Sequence, residues 1–290
     1  MTDTRFFPVL GFCMVLVMGT LDPRPAAASR RVEPTWVDIV LDSDAIVLAR
    51  ATAPSEILGE PSTLQPRFSV LVRELRSLVG TRGVPAAVAS SVPMKRGQLL
   101  VLFSRATEPW SVTGNLNFLW SSWPIASVPT PVIERTVADI RAFQAAPDSD
   151  AKAAVVERML RAPQNEIRAA GLDLISHDPT IRGRPRLFPG IAARVRCSDP
   201  LALSAIPLLG SYSPPRKYPL LLAMLGCKDE RLAHYAHTGL GRSCPLDLER
   251  ARSPATRKQE LAAFDACWKP KWAKAEEEYR RRHGGKGPAD

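Results

Sequence analysis

The sequence predicts an α+β protein of more than one domain, a small β-barrel followed by an α-helical solenoid, and three observations carry that prediction. Up to about residue 128, short apolar runs alternate with clusters of Gly, Pro and Ser, the pattern of strands and turns. From about residue 131 the apolar residues recur every three or four positions, as on one face of a helix. The chain has 290 residues, 45% hydrophobic and 23% charged, which is long enough for two domains and has the composition of an ordered globular protein.

The N-terminus comes first. PVLGFCMVLVMGTL (8–21) is an apolar core of signal-peptide length, and Ala26 and Ala28 in PAAAS stand where a signal peptidase needs small residues. Residues 1–28 are therefore read as a signal peptide cleaved near Ala28, leaving a secreted or periplasmic protein. The competing reading, a retained membrane anchor, meets a run shorter than the ~20 apolar residues of a spanning helix. The mature chain is expected to contain no transmembrane span.

Residues 35–128 form the expected barrel. TWVDIVLD (35–42) reads as a short amphipathic helix. AIVLARA (45–51), FSVLVRE (68–74), AAVASSV (86–92), QLLVLFS (98–104) and NFLWSSWPIA (117–126) read as five strands. An opening helix, DSDAIVLARA, a long strand FSVLVREL and then RGQLLVLFS with Gly97 together resemble the OB-fold module of the netrin and tissue-inhibitor-of-metalloproteinase class. The resemblance covers about a third of the chain and implies a binding barrel. Those inhibitors act through an N-terminal cysteine, and residues 30–196 contain none, so the inhibitory mechanism is not carried over.

Residues 129–150 are read as a bridging helix and linker. TPVIERTVADIRAFQA (130–145) is amphipathic, with Thr130 as N-cap and Pro131 at the first helical position. Residues 151–283 are read as a helical-repeat domain. Ile167, Gly171 and Ile175 recur as Leu232, Ala236 and Leu240, 65 residues later, with Leu201, Ala205 and Leu209 about midway. A repeated small residue between branched ones permits close helix packing, and a helical-pair period in the thirties or forties, about half that interval, is a solenoid signature. NEIRAAGLDLI (165–175) resembles the first helix of a HEAT repeat, with Ile167 and Arg168 in the characteristic pair. An armadillo-like stack or an irregular bundle is the alternative. Phe264, Trp268 and Trp272 share one face of an expected C-terminal capping helix, and residues 284–290 are expected to be a disordered tail.

Without Cys13, removed with the signal, four cysteines remain: Cys197, Cys227, Cys244 and Cys267. An even number in an oxidising compartment predicts up to two disulfides. Cys227 and Cys244 flank a helix that holds its ends roughly 20 Å apart, beyond the ~7 Å reach of a disulfide. The favoured pairing is Cys197 with Cys227 or with Cys244, and the remaining one with Cys267.

Three groups of residues are candidates for chemistry. Glu230, His234 and His237 fall on one helix face, a sensible set for Zn²⁺, although on the wet side away from the expected core, where solvated surface residues are the competing reading. Arg182, Arg184, Arg186, Arg194 and Arg196 lie in a stretch with no acid between them, a candidate patch for phosphate or carboxylate groups. Trp110, Trp120 and Trp123 form either an aromatic recognition platform or core packing, the latter favoured. The net charge of +10 favours anionic partners, while the export signal disfavours nucleic acid. G-x-S-x-G, H-E-x-x-H, P-loop and G-x-G-x-x-G signatures are absent from the sequence, so no cofactor is expected and no catalytic residue is named. The reading is a secreted or periplasmic non-enzymatic protein-binding or scaffold protein. Its alternatives are a metal-dependent hydrolase or protease-inhibitor-like protein, and a binder of anionic polymers or an envelope surface.

Overall fold

The computed structural model describes residues 34–58, 67–90, 92–105, 109–240, 244–247, 249–250, 253 and 255–282. The expected signal peptide and tail lie outside them. The described chain is α+β.

Helix α1 (Trp36–Asp42) starts at a capping box. Thr35 Oγ1 accepts from the Asp38 amide at 3.2 Å and Asp38 Oδ2 accepts from the Thr35 amide at 2.8 Å, satisfying two amides that the helix start would otherwise orphan. Its apolar face buries Trp36, Val37, Ile39 and Val40.

The strands β1 (Ala45–Ala51), β2 (Glu56–Leu58), β3 (Arg67–Val79), β4 (Ala87–Ser90), β5 (Leu99–Ser104) and β6 (Ser111–Thr113) make one antiparallel sheet. Strands β1 and β2 run one after the other along one edge of β3, and β4 takes the other. Beyond β1 come β5 and then β6, and β4 and β6 touch, so the sheet curls towards itself. At the end of β3, Gly80 has φ +69°, and a Cβ there would sit 2.3 Å from the Asp44 carbonyl oxygen. Only glycine lets the strand turn so close to the start of β1.

Alternation along β1 divides two cores. Ala45, Val47, Ala49 and Ala51, with Val70, Val88, Leu100, Leu102 and Trp110, fill the concave side. Ile46 and Leu48, with Val101 and Leu116, join a larger core shared with the helices, which reaches from Trp36 to Trp268. Strand β1 is thus buried on both faces until Arg50, its one exposed residue.

The fifth strand is not where the pattern puts it. The sheet takes β6, three residues with little apolar signal, while the 117–126 region folds into a separate hairpin of β7 (Asn115–Asn117) and β8 (Ser122–Pro124). Hairpin strands this short carry too few side chains to show a period.

Helix α2 (Thr130–Ala145) has the expected bounds, but Pro129 takes the N-cap position and Thr130 is its first residue, with no side-chain cap. Helix α3 (Ser149–Leu160) is capped by Asp148, whose carboxylate accepts from the amides of Asp150 and Ala151. Helix α4 (Asn165–His177) packs on α3 at Gly171, where a Cβ would meet Met159 at 3.2 Å. Arg168 donates to the Ala162 carbonyl and so orders the turn between them.

The stretch SDPLALSAIPLLGSY (198–212), whose spacing predicts one helix, is a four-residue α6 (Ala202–Ala205) and a 3-10 stretch Pro207–Ser211, preceded by the short α5 (Phe188–Ala192). Pro207 has no amide to continue the ladder. Its apolar residues Leu201, Ala205 and Leu209 are nonetheless fully buried. Helices α7 (Pro214–Leu225) and α8 (Glu230–Gly239) form a second packed pair, so the two pairs flank irregular turns rather than a row of equal units.

The C-terminal helix (Arg257–Arg282) lays Phe264 and Trp268 into the core, and Trp268 and Trp272 meet Tyr218 of α7 edge-on at 4.7 and 6.1 Å. Two disulfides close this region: Cys197–Cys227, with Cα atoms 5.3 Å apart, and Cys244–Cys267, at 5.9 Å. The bonds therefore take one of the two favoured pairings, with α8 spanning the gap between Cys227 and Cys244.

Candidate functional site

The β7–β8 hairpin is built to hold its tip still. Leu116 and Phe118 are buried, the Phe118 amide donates to Ser121 O at 2.8 Å, and Trp123 packs edge-on against Phe118 at 5.5 Å. With those side chains anchored, Leu119 and Trp120 at the tip are left 47% and 46% exposed. The Trp120 ring meets Tyr235 of α8 edge-on at 5.5 Å, and Tyr235 meets the exposed His234 at 6.1 Å. Two sequence-distant candidates, the tryptophan loop and the histidine helix, thereby form one aromatic shelf. Of the three tryptophans, Trp110 lies in the concave core under the Arg82 guanidinium, Trp123 is a hairpin anchor, and Trp120 alone combines packing with broad exposure.

The remaining members of the histidine set have different surroundings. Glu230 is exposed in the first turn of α8, and His237 is half-buried with Nε2 3.2 Å from the Cys244 carbonyl oxygen and its ring 5.8 Å from Phe264. That imidazole bridges α8, the Cys244 segment and the C-terminal helix. Among the described residues there is no group of three or more His, Cys, Asp or Glu placed to hold a metal.

The arginine stretch meets its acids through the fold. Arg184 pairs with Asp150 at 2.7 Å and also donates to Ser149, and Arg186 reaches Glu157 through two nitrogens at 2.8 and 2.6 Å. Arg194 pairs with Asp199 at 3.1 Å, and Arg182 donates to the carbonyls of Ile175 and Ser176 at the end of α4. Arg196 is exposed. The contacts of Arg182, Arg184 and Arg186 strap the segment onto α3 and α4, while the Arg194 pair is local to its own turn.

A titratable group unmarked by any sequence motif sits between α1 and α4. Asp173 is 5% exposed, and burial pushes its carboxyl up to about 6, offset in part by a hydrogen bond with Thr35, reinforced by the Asp38 charge and opposed by His177. Its Oδ2 has no hydrogen-bond partner among the described residues, and His177 Nδ1 lies 3.5 Å from Asp38 Oδ1. The arrangement lets a buried acid exchange its proton near pH 6.

No protein-family model matches the chain, and no curated protein shows significant sequence similarity to it. Among the described residues, no helix is long and apolar enough to cross a membrane.

Proposed function

We propose that this is a non-enzymatic binding protein of a secreted or periplasmic compartment, which docks a protein partner on the shelf formed by Leu119, Trp120, His234 and Tyr235. The observation that carries the reading is the anchored hairpin whose tip presents two exposed apolar side chains. A rigid tryptophan contributes large contact area at little loss of side-chain freedom, which is why such residues dominate protein interfaces. The leader-like N-terminus and the two disulfides support export. The strand order β1–β3–β4, with β6 and β5 returning to β1, supports an OB-like barrel as the N-terminal module. For the helical half, the α3–α4 and α7–α8 pairs support a degenerate HEAT-like arrangement.

The test compares proteins captured from the native envelope by wild type and by Trp120→Ala. A specific partner should lose roughly thirtyfold in affinity with Trp120→Ala, with the thermal midpoint unchanged. A partner retained equally by both would sink the reading.

A further inference from the structure

We propose that a cleft at the end of β1, lined by Arg50, Arg73 and Arg96, is a binding site for a tetrahedral dianion, a phosphate group. The cleft has a volume of about 310 Å³ and is completed by Ala51, Thr52 and Gly97. Its three arginines come from three segments. Arg50 and Arg73 stand directly opposite each other across the β1–β3 ladder. Arg96 lies on the turn into β5, where Gly97 has φ +82°, its amide donates to Ala51 O at 2.8 Å, and the Ala51 amide donates to Gln98 O at 3.0 Å. That pair of backbone bonds holds the turn against the strand end and places Arg96 beside the other two arginines.

Charge accounting singles this place out. Among the described residues no carboxylate lines the cleft, and none of its three guanidiniums has an ion-pair or hydrogen-bonding partner. The nearest acid in sequence, Glu74, pairs with Ala49 and therefore points to the other side of β3. Like charges directly opposite on a ladder are destabilising, and here a third cation adds to them. An anion carrying two negative charges removes that repulsion and presents enough oxygens to accept from several guanidinium forks at once. A single carboxylate offers too few oxygens for three forks. Thr52 also lines the cleft and carries a neutral hydroxyl donor.

The site is independent of the aromatic shelf, so each can fail alone. The experiment uses the purified disulfide-bonded protein with inorganic phosphate as probe, followed by calorimetry and by the thermal midpoint, and by co-sedimentation with vesicles of phosphatidylcholine carrying a minor share of phosphatidic acid. Phosphate should raise the midpoint of the wild type and of Trp120→Ala alike. Arg73→Gln and Arg96→Gln should each weaken phosphate binding by at least roughly tenfold, while Arg186→Gln leaves it intact. Because Arg73→Gln relieves the cross-strand repulsion, its midpoint without phosphate should equal or exceed that of wild type, which separates lost binding from lost folding. Binding of phosphate with no vesicle binding identifies a soluble phosphoester or free phosphate as the source, and vesicle binding lost in the same variants identifies a lipid headgroup; either outcome supports the site. Absence of any phosphate effect on the wild type, or an equal effect in all arginine variants, would overturn it.

Discussion

Between Arg182 and Arg196 the arginines crowd into one stretch, while Arg50, Arg73 and Arg96 are scattered over three strands and turns. In the crowded stretch, Arg184, Arg186 and Arg194 meet Asp150, Glu157 and Asp199. In the scattered set the guanidiniums share a cleft that no acid lines among the described residues. The density of charge along a chain therefore says little about where charge remains available, because folding brings Asp150 and Glu157 of α3 to one set and, among the described residues, no acid to the other. The same contrast divides two aspartates of neighbouring elements. Burial raises the carboxyl of Asp178, but hydrogen bonds from Lys152 and Thr180 outweigh it and hold the group at about 2. Asp173 lacks such a cation and stands at about 6.

Four measurements sharpen or break this division between paired and unpaired charge. The largest effect concerns what holds the crowded segment. If Cys197–Cys227, which closes 30 residues, is its main restraint, Cys197→Ser with Cys227→Ser should cost about 3 kcal/mol in denaturant unfolding. A loss below that of one surface ion pair would transfer the credit to the arginines.

The second is Asp173→Asn. Folding raises the proton affinity of Asp173, so the wild type loses stability as pH climbs from 3.8 to about 6, by at most about 3 kcal/mol, and keeps that loss above pH 6. The variant should be more stable than wild type at pH 7.5 and no more stable at pH 3.5. An equal difference at both values would show that Asp173 does not titrate in this range.

Third, Asp178 behaves with the opposite sign. Its lowered value adds stability that is complete above 3.8 and disappears as pH falls towards 2, so Asp178→Asn should cost at most about 2 kcal/mol at neutral pH and nothing near pH 2. Chemical unfolding at a series of pH values reads both aspartates in one experiment. The smallest effects fall to the arginines themselves. Arg186→Gln should cost up to about 1 kcal/mol, because its pair with Glu157 is partly exposed. Arg73→Gln should cost nothing or gain a few tenths of a kcal/mol by removing the like-charge pair.

What the sequence discloses follows the same logic. Strands β1, β3, β4 and β5 were legible because their apolar runs are long enough to show a period, and β6 was not, since Ser111, Val112 and Thr113 carry one apolar side chain among them. The burial of Leu201, Ala205 and Leu209 was legible while their helix was not, because Pro207 overrides a pattern that reports only which residues face inward. Helix α3 leaves little signal in the sequence although Asp148 caps it, since its alanines give a weak stripe. At the candidate site, Trp110, Trp120 and Trp123 look alike in the chain; the sheet core takes Trp110, and the pairing of β7 with β8 sets Trp123 opposite Leu116 and leaves Trp120 at the exposed turn. The cleft arginines carried no signal, for their proximity is created by strand register.

One consequence of β1 reaches beyond energetics. Its odd-numbered residues belong to the concave core of the sheet and its even-numbered ones, Ile46 and Leu48, to the core shared with the helices. A gene fragment ending near residue 128 would encode a strand with one side bare, and a fragment beginning there would lack the surface on which α2 lies. Recombination has therefore no clean seam between the curled sheet and the helices, and relatives of this chain should inherit the two together or neither.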